Sequence, residues 1–85
     1  MRYFRATAEV AEAIRQYVAD SLGQPNGMAN EPWRANGDFT TNGMVYVSIG
    51  PHHTKDEFWQ TLLAVAMAAG VEEIDQQQYW AAMPQ

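Results

Sequence analysis

Apolar residues recur along the chain with two different periods, and the period of each segment predicts its secondary structure. The segment "MVYVSI" at 44–49 alternates with period two, which places its two valines and Ile49 on one face of a strand and the other three side chains on the opposite face. Shorter strands are predicted at 2–6 and 71–74, with a further one near 39–41.

Two longer segments repeat their apolar residues every three to four positions, which is typical of amphipathic helices. They predict helices at about 8–22 and 55–69. Thr54 and Glu57 have the spacing of a capping box at the start of the second helix. On this interpretation the stretch "GPHHTKDE" ends one strand and begins a helix.

Asp75 and Gln78 repeat the capping-box spacing, so a short C-terminal helix is predicted, ended by Pro84. Together these elements predict an α+β fold. We expect a small three- to four-stranded sheet packed on one face by two helices, with the short C-terminal helix in addition. Eighty-five residues with 47% hydrophobic content are expected to form a single compact domain over residues 1–85.

The segment from 24 to 43 lacks this periodicity, and prolines and Asn-Gly pairs dominate it. Asn42-Gly43 predicts a type I′ hairpin, and Asn36-Gly37 is a candidate for a second one. A structureless stretch of this length is unusual in so small a domain, so we expect a long loop that is partly hairpin or functional.

The net charge of −5 lies in the last third of the chain. Residues 1–55 hold five acids and five bases, whereas residues 56–85 hold five acids and no base. Such a surface repels phosphate, so direct nucleic-acid binding is not expected, and it attracts a basic partner instead. Glu72, Glu73 and Asp75 are the candidate partner-binding acids, with an ordinary solvated face as the alternative.

The sequence offers few residues for chemistry. It has no cysteine, which excludes disulfides, thiolate metal sites and cysteine nucleophiles. His52 and His53, near Asp56, are metal-ligand types, but adjacent residues in an extended turn point apart, so no metal is expected. Ser48 lies in mid-strand without the loop signature of a nucleophile. No enzyme activity, catalytic residue or cofactor is predicted.

Tryptophan is the residue type that points most clearly to binding. Trp33 and Arg34 lie in the polar stretch "EPWRANG", and because both types are enriched at interface hot spots they are candidate partner contacts. The alternative is that Trp33 anchors its loop to the domain. Trp59 and Trp80 lie on predicted helices and are expected to be core or half-buried residues.

The chain shows no sign of a membrane segment. Its start has no apolar run, and the longest one, "LLAVAMAAG", is shorter than the roughly 18 residues that a membrane span needs. We therefore expect a cytosolic protein. A domain of this size buries a modest fraction of its surface, so partner binding or homo-oligomerisation is expected to add stability.

Both ends of the chain resemble small uncharacterised proteins encoded by tailed bacteriophages and prophages. The resemblance is carried by "RYFRATAEVAEAIRQYV" at the start and by "LLAVAMAAGVEEIDQQQYWAAMPQ" at the close. It implies a non-enzymatic protein-binding module, a small virion or assembly accessory protein found in the cytoplasm of the bacterial host or in the virion. The alternative is an antagonist of a host defence system that acts through its acidic C-terminal third.

Overall fold

The structure is a computed structural model that describes residues 1–22, 33, 37–51, 55 and 57–84. Within these residues the chain forms four strands and three helices. In chain order they are β1 (Arg2–Thr7), α1 (Ala8–Leu22), β2 (Phe39–Thr41), β3 (Met44–Ile49), α2 (Glu57–Ala68), β4 (Glu72–Ile74) and α3 (Gln76–Ala82).

Short local signals set the boundaries of several elements. The Thr7 hydroxyl accepts a hydrogen bond from the Val10 amide at 3.2 Å and so caps the start of α1. Asn42 and Gly43 have φ values of 52° and 77°, the left-handed conformation that a two-residue type I′ turn requires at both positions. The predicted hairpin between β2 and β3 is therefore confirmed.

The four strands form one antiparallel sheet in the order β2-β3-β1-β4. Because β3 and β4 both run antiparallel to the strand between them, they are parallel to each other, and the same holds for β1 and β2 around β3. Each parallel pair is connected through a helix. This βαββαβ order of interlocked units is the ferredoxin-like arrangement, extended here by α3.

One face of the sheet packs against α1 and α2. This main core consists of buried apolar side chains from the sheet, both helices and two connecting positions: Phe4, Ala6, Ala11, Ile14, Val18, Trp33, Val45, Val47, Ile49, Leu62, Leu63, Ala66 and Val71. Val45, Val47 and Ile49 share this face as their alternation predicts. The predicted α+β fold, with a small sheet covered on one face by two helices and a short C-terminal helix, is confirmed.

Trp33 belongs to this main core, with 1% of its surface exposed. The prediction that Trp33 contacts a partner is therefore corrected, because a buried side chain is not accessible to one. Burial of its large ring removes apolar surface from water, which is favourable. Trp33 therefore has the anchoring role of the alternative interpretation. The ring nitrogen Nε1 is buried without a hydrogen-bond partner among the described residues.

Gly37 lies directly against β3, just before β2 begins. A Cβ atom built at this glycine would come within 2.7 Å of both the Tyr46 carbonyl oxygen and a Val45 methyl carbon. Its φ of +55° also lies in the left-handed region that side chains disfavour. Close approach and backbone conformation thus both require glycine here.

The opposite face of the sheet carries a second, smaller apolar cluster under α3. Its buried members are Tyr46, Ile74 and Tyr79, and the half-buried Tyr3, Phe39, Met44 and Ala82 pack against them. The three helices therefore lie on both sides of the sheet, with α1 and α2 on one and α3 on the other. No helix within the described residues is long and apolar enough to cross a membrane.

Candidate protein-binding surface

The start of α3 is fixed by a complete capping box. The Gln78 amide donates to Asp75 Oδ1 at 2.7 Å, and the Asp75 amide donates to Gln78 Oε1 at 3.1 Å. This confirms the predicted box. Because the helix begins at a defined residue, its rotation is defined too: Tyr79 faces the sheet and Trp80 faces solvent.

Tyr79 packs into a group of rings that we call the aromatic cluster: Tyr3, Phe39, Tyr46 and Tyr79. The ring centroid of Tyr79 lies 4.7 Å from that of Tyr3 and 5.2 Å from that of Phe39. Phe39 also stacks on Tyr46 at 4.9 Å with nearly parallel planes, as expected for residues directly opposite in the β2–β3 register. The cluster thus joins three strands and α3.

A single carboxylate oxygen connects α3 to the sheet by hydrogen bonds. Asp38 Oδ2 accepts from the Ser48 amide at 2.7 Å, from the Ser48 hydroxyl at 2.6 Å and from the Tyr79 hydroxyl at 2.7 Å. Burial of the phenol and its hydrogen bond to the Asp38 carboxylate raise the pKa of Tyr79 to about 12. Tyr79 therefore stays neutral and acts as a donor at ordinary pH.

The outer side of α3 and its C-cap carry two large apolar residues in water, which we call the exposed pair. Trp80 is 59% exposed and Met83 is 43% exposed. Met83 is the C-cap of α3, and its amide donates to the Trp80 carbonyl oxygen at 3.2 Å, so the two residues lie close together. The expectation that Trp80 is a core or half-buried residue is wrong, whereas Trp59 is half-buried against the main core as expected.

A shallow groove lies at the N-terminal end of α3. It has a volume of about 400 Å³ and lies where the start of β1 meets the first turn of α3, lined among others by Met1, Tyr3, Ile74 and Gln76. Met1 is 64% exposed, and Gln76 lies one helical turn before Trp80. The groove also takes polar groups from Arg2, Glu73 and Asp75, so its lining is mixed and only part of it is apolar.

Two of the three acids predicted to bind a partner, Glu73 and Asp75, line this groove, and all three have an internal partner. Glu73 accepts from Arg2 Nε at 3.0 Å and from Arg2 Nη2 at 2.9 Å. Glu72 accepts from Arg5 Nε at 2.9 Å and from Arg5 Nη2 at 3.3 Å. These guanidinium groups hold the pKa of both glutamates below its ordinary value. Asp75 is the cap of α3.

The net charge at the β1–β4 edge of the sheet is therefore closer to neutral than the sequence of residues 56–85 indicates. Residues 56–85 contain no base, but antiparallel pairing of β1 with β4 sets Arg5 opposite Glu72 and brings Arg2 within reach of Glu73. Glu72 and Glu73 are exposed on their outer sides but have their charges balanced. Partner binding by these acids stays a prediction, with less excess charge to support it than the sequence indicates.

The remaining sequence candidates are placed as follows. Arg34, His52, His53 and Asp56 lie outside the described residues, as does most of the 24–43 segment. Ser48 donates its hydroxyl proton to Asp38. In the parts of the chain that the structure describes, no three His, Cys, Asp or Glu side chains lie together in a way that could hold a metal ion.

Sequence reasoning missed the aromatic cluster and the link through Asp38. One signal was present in the sequence. Because side chains alternate along a strand, Tyr3 and Tyr46 point to the face opposite that of Phe4 and Val45, which face the core. Aromatic residues on the outward face of two strands indicate that something covers that face. The register of β2 against β3, which brings Asp38 and Phe39 next to Tyr79, could not be read from the spacing of residues alone.

The fold and this surface define a class: a small α+β domain in ferredoxin-like arrangement, with a third helix that covers part of the second sheet face and presents an apolar pair to solvent. Comparison of the chain with protein-family models, curated proteins and solved structures found no match. The arrangement of strands occurs with many unrelated functions, so only the surface itself bears on function.

Proposed function

We propose that this chain is a non-enzymatic protein-binding domain and that it contacts its partner through the exposed pair on α3. The observation that carries the proposal is that Trp80 is 59% exposed beside an exposed Met83. Tryptophan is enriched among the few residues that dominate interface energies. Contiguous apolar surface in water is characteristic of interaction sites.

The surroundings of the exposed pair fit an interface. The groove at Met1 and Gln76 is a concave surface at the N-terminal end of α3, and the Arg2–Glu73 ion pair is part of its lining. An apolar centre with a polar border is the usual anatomy of a protein–protein contact. On this proposal Trp80 and Met83 form the apolar part of the contact, and the groove residues form its polar part.

The exposed pair is also held in a defined position. The capping box at Asp75 fixes the start of α3, and Tyr79 fixes its inner side through two ring contacts and the hydrogen bond to Asp38. A surface that is ordered before binding loses less conformational entropy in the complex. This supports Trp80 as an anchor residue.

The biological role that we propose follows the resemblance of the two chain ends to small phage proteins. On this proposal the domain is a small virion or assembly accessory protein, active in the bacterial cytoplasm or in the particle, and its partner is a phage structural protein. The defence-antagonist alternative needs an acidic surface, and the pairing of Glu72 and Glu73 with arginines gives that alternative less support.

The test is recovery of the partner by the tagged full-length chain from phage-infected cells, with the wild type compared with two variants. Trp80→Ala removes the proposed anchor. Tyr17→Ala is the matched control, because Tyr17 is a 39% exposed aromatic residue on α1, which packs on the other face of the sheet. Both residues are exposed, so the urea concentration at the midpoint of unfolding is expected to be the same for both variants as for the wild type.

We expect capsid, portal or tail proteins to be recovered by the wild type and by Tyr17→Ala, and the affinity of the identified partner to fall about 30-fold or more in Trp80→Ala. Equal binding by Trp80→Ala and the wild type would refute the exposed pair as the contact. Recovery of a host defence complex in place of phage proteins would refute the virion role and favour the alternative.

A further inference from the structure

The two apolar clusters of this domain share no side chain. The main core lies between one face of the sheet and helices α1 and α2, and it contains no residue of α3. The second cluster lies on the other face and contains Tyr79 and Ala82 of α3. Among the described residues, loss of α3 would therefore remove contacts from the second cluster and leave the main core unchanged.

The attachment of α3 is small and concentrated in one residue. Tyr79 is the buried residue of this helix, 7% exposed, while Ala82 is half-buried and Trp80 points to solvent. A helix of seven residues is far too short to be stable by itself in water. The helix is consequently formed when Tyr79 is seated on the sheet and is lost when Tyr79 leaves.

The sheet face under α3 does not depend on the helix for its own order. Phe39 stacks on Tyr46 across the β2–β3 hairpin, and Tyr46 lies on a strand that is hydrogen bonded on both sides. Asp38 keeps its two hydrogen bonds from Ser48 when the Tyr79 hydroxyl departs, so its carboxylate is not left without donors. The face can therefore persist uncovered.

We propose that α3 is a lid that opens as a separate unit and uncovers the aromatic face of the sheet while the main core stays folded. Local opening of such units, at a free energy below that of global unfolding, is a general property of elements with few buried contacts. Opening exposes Tyr3, Phe39 and Tyr46 on three adjacent strands. This inference concerns the fold and stands whether or not Trp80 contacts a partner.

The test is native-state amide hydrogen exchange of the full chain by NMR. The lid amides are Tyr79 N, which donates to the Asp75 carbonyl, and Met83 N, which donates to the Trp80 carbonyl. The reference amides are those of the β1–β3 ladder. In the wild type the lid amides are expected to exchange faster than the ladder amides and with little dependence on low urea concentrations.

Two conservative variants then separate a lid from a single cooperative unit. Ile14→Val perturbs only the main core and should accelerate exchange in the ladder about two- to tenfold, an effect confirmed beforehand by urea unfolding, with the lid amides unchanged. Tyr79→Phe removes the hydrogen bond to Asp38 and should accelerate the lid amides about tenfold.

The proposal is overturned if Ile14→Val accelerates the lid and ladder amides equally, or if Tyr79→Phe leaves the lid amides unchanged. A second measurement covers the larger change Tyr79→Ala. That variant should retain the buried environment of the Trp33 indole proton and should bind the apolar dye 1-anilinonaphthalene-8-sulfonate more strongly than the wild type. Loss of the Trp33 signal together with dye binding would show one unit and refute the lid.

Discussion

Replacement of Tyr79 by phenylalanine tests the central contact of α3 with the smallest possible change. The substitution removes one hydroxyl group and keeps the ring contacts with Tyr3 and Phe39. The lost interaction is a 2.7 Å hydrogen bond to Asp38 Oδ2. Hydrogen bonds to charged groups contribute about 1.5–3 kcal/mol, neutral ones about 0.5–1.5 kcal/mol.

For the hydrogen bond from Tyr79 to Asp38, the lower part of the range for hydrogen bonds to charged groups applies. Asp38 is exposed to water and keeps both donors of Ser48, so its carboxylate recovers part of the lost interaction. We therefore expect Tyr79→Phe to lower the free energy of unfolding by about 1–2 kcal/mol. The assay is equilibrium urea unfolding at pH 7, with Tyr17→Phe as the control, because Tyr17 is an exposed tyrosine on α1 and its loss should have almost no effect.

The pH dependence gives an independent measure of the same contact. The pKa of Tyr79 is raised to about 12 in the folded protein, from a value of 10.0 for an ordinary tyrosine. Folding thus favours the protonated phenol, so the stabilisation is complete below pH 10 and is lost as the pH rises toward 12. The wild type should lose up to about 2 kcal/mol over this range relative to Tyr79→Phe, so the two stability curves converge.

Two results would refute this reasoning. A stability difference below about 0.3 kcal/mol at pH 7 would mean that the hydroxyl group contributes nothing to the fold, well under the expected value for such a bond. A difference that stays constant from pH 9 to pH 12 would mean that the phenol is not buried against a carboxylate. Comparison at matched pH cancels the titration of the other tyrosines.

Three further predictions address other parts of the fold. Trp33→Ala should lower the free energy of unfolding by about 3–5 kcal/mol, measured by urea titration, and a change below about 1 kcal/mol would place Trp33 outside the core. Gly37→Ala should lower the melting temperature more than Gly43→Ala. Both glycines have a positive φ, but only at Gly37 would the new Cβ overlap the carbonyl oxygen of Tyr46, whereas the space around a Cβ at Gly43 is open. A double-mutant cycle of Arg2 and Glu73 should give a coupling energy of no more than about 1 kcal/mol, and this energy should shrink in high salt. Because the pKa of Glu73 is lowered, the coupling should be lost as the pH falls below 4.5. A coupling energy unaffected by salt or acid would contradict an exposed ion pair.

The sequence by itself determined most of the local structure. Alternation predicted both faces of β3, the Asn42-Gly43 pair predicted the hairpin turn, and the Asp75–Gln78 spacing predicted the start of α3. These features depend on residues within a few positions of one another. Their physical causes, side-chain direction on a strand, positive φ and capping of free amides, act over that same short range.

The roles of the tryptophans and acids were decided by tertiary structure. Trp33 is buried although its neighbours in sequence are polar, because the chain brings it over the main core, and Trp80 is exposed because capping at Asp75 turns its neighbour Tyr79 toward the sheet. Two acids of the last third, Glu72 and Glu73, are balanced by arginines more than 60 residues away in sequence because β4 pairs with β1. Burial and charge balance depend on which distant segments become neighbours, and strand order, which no local pattern contains, settles that.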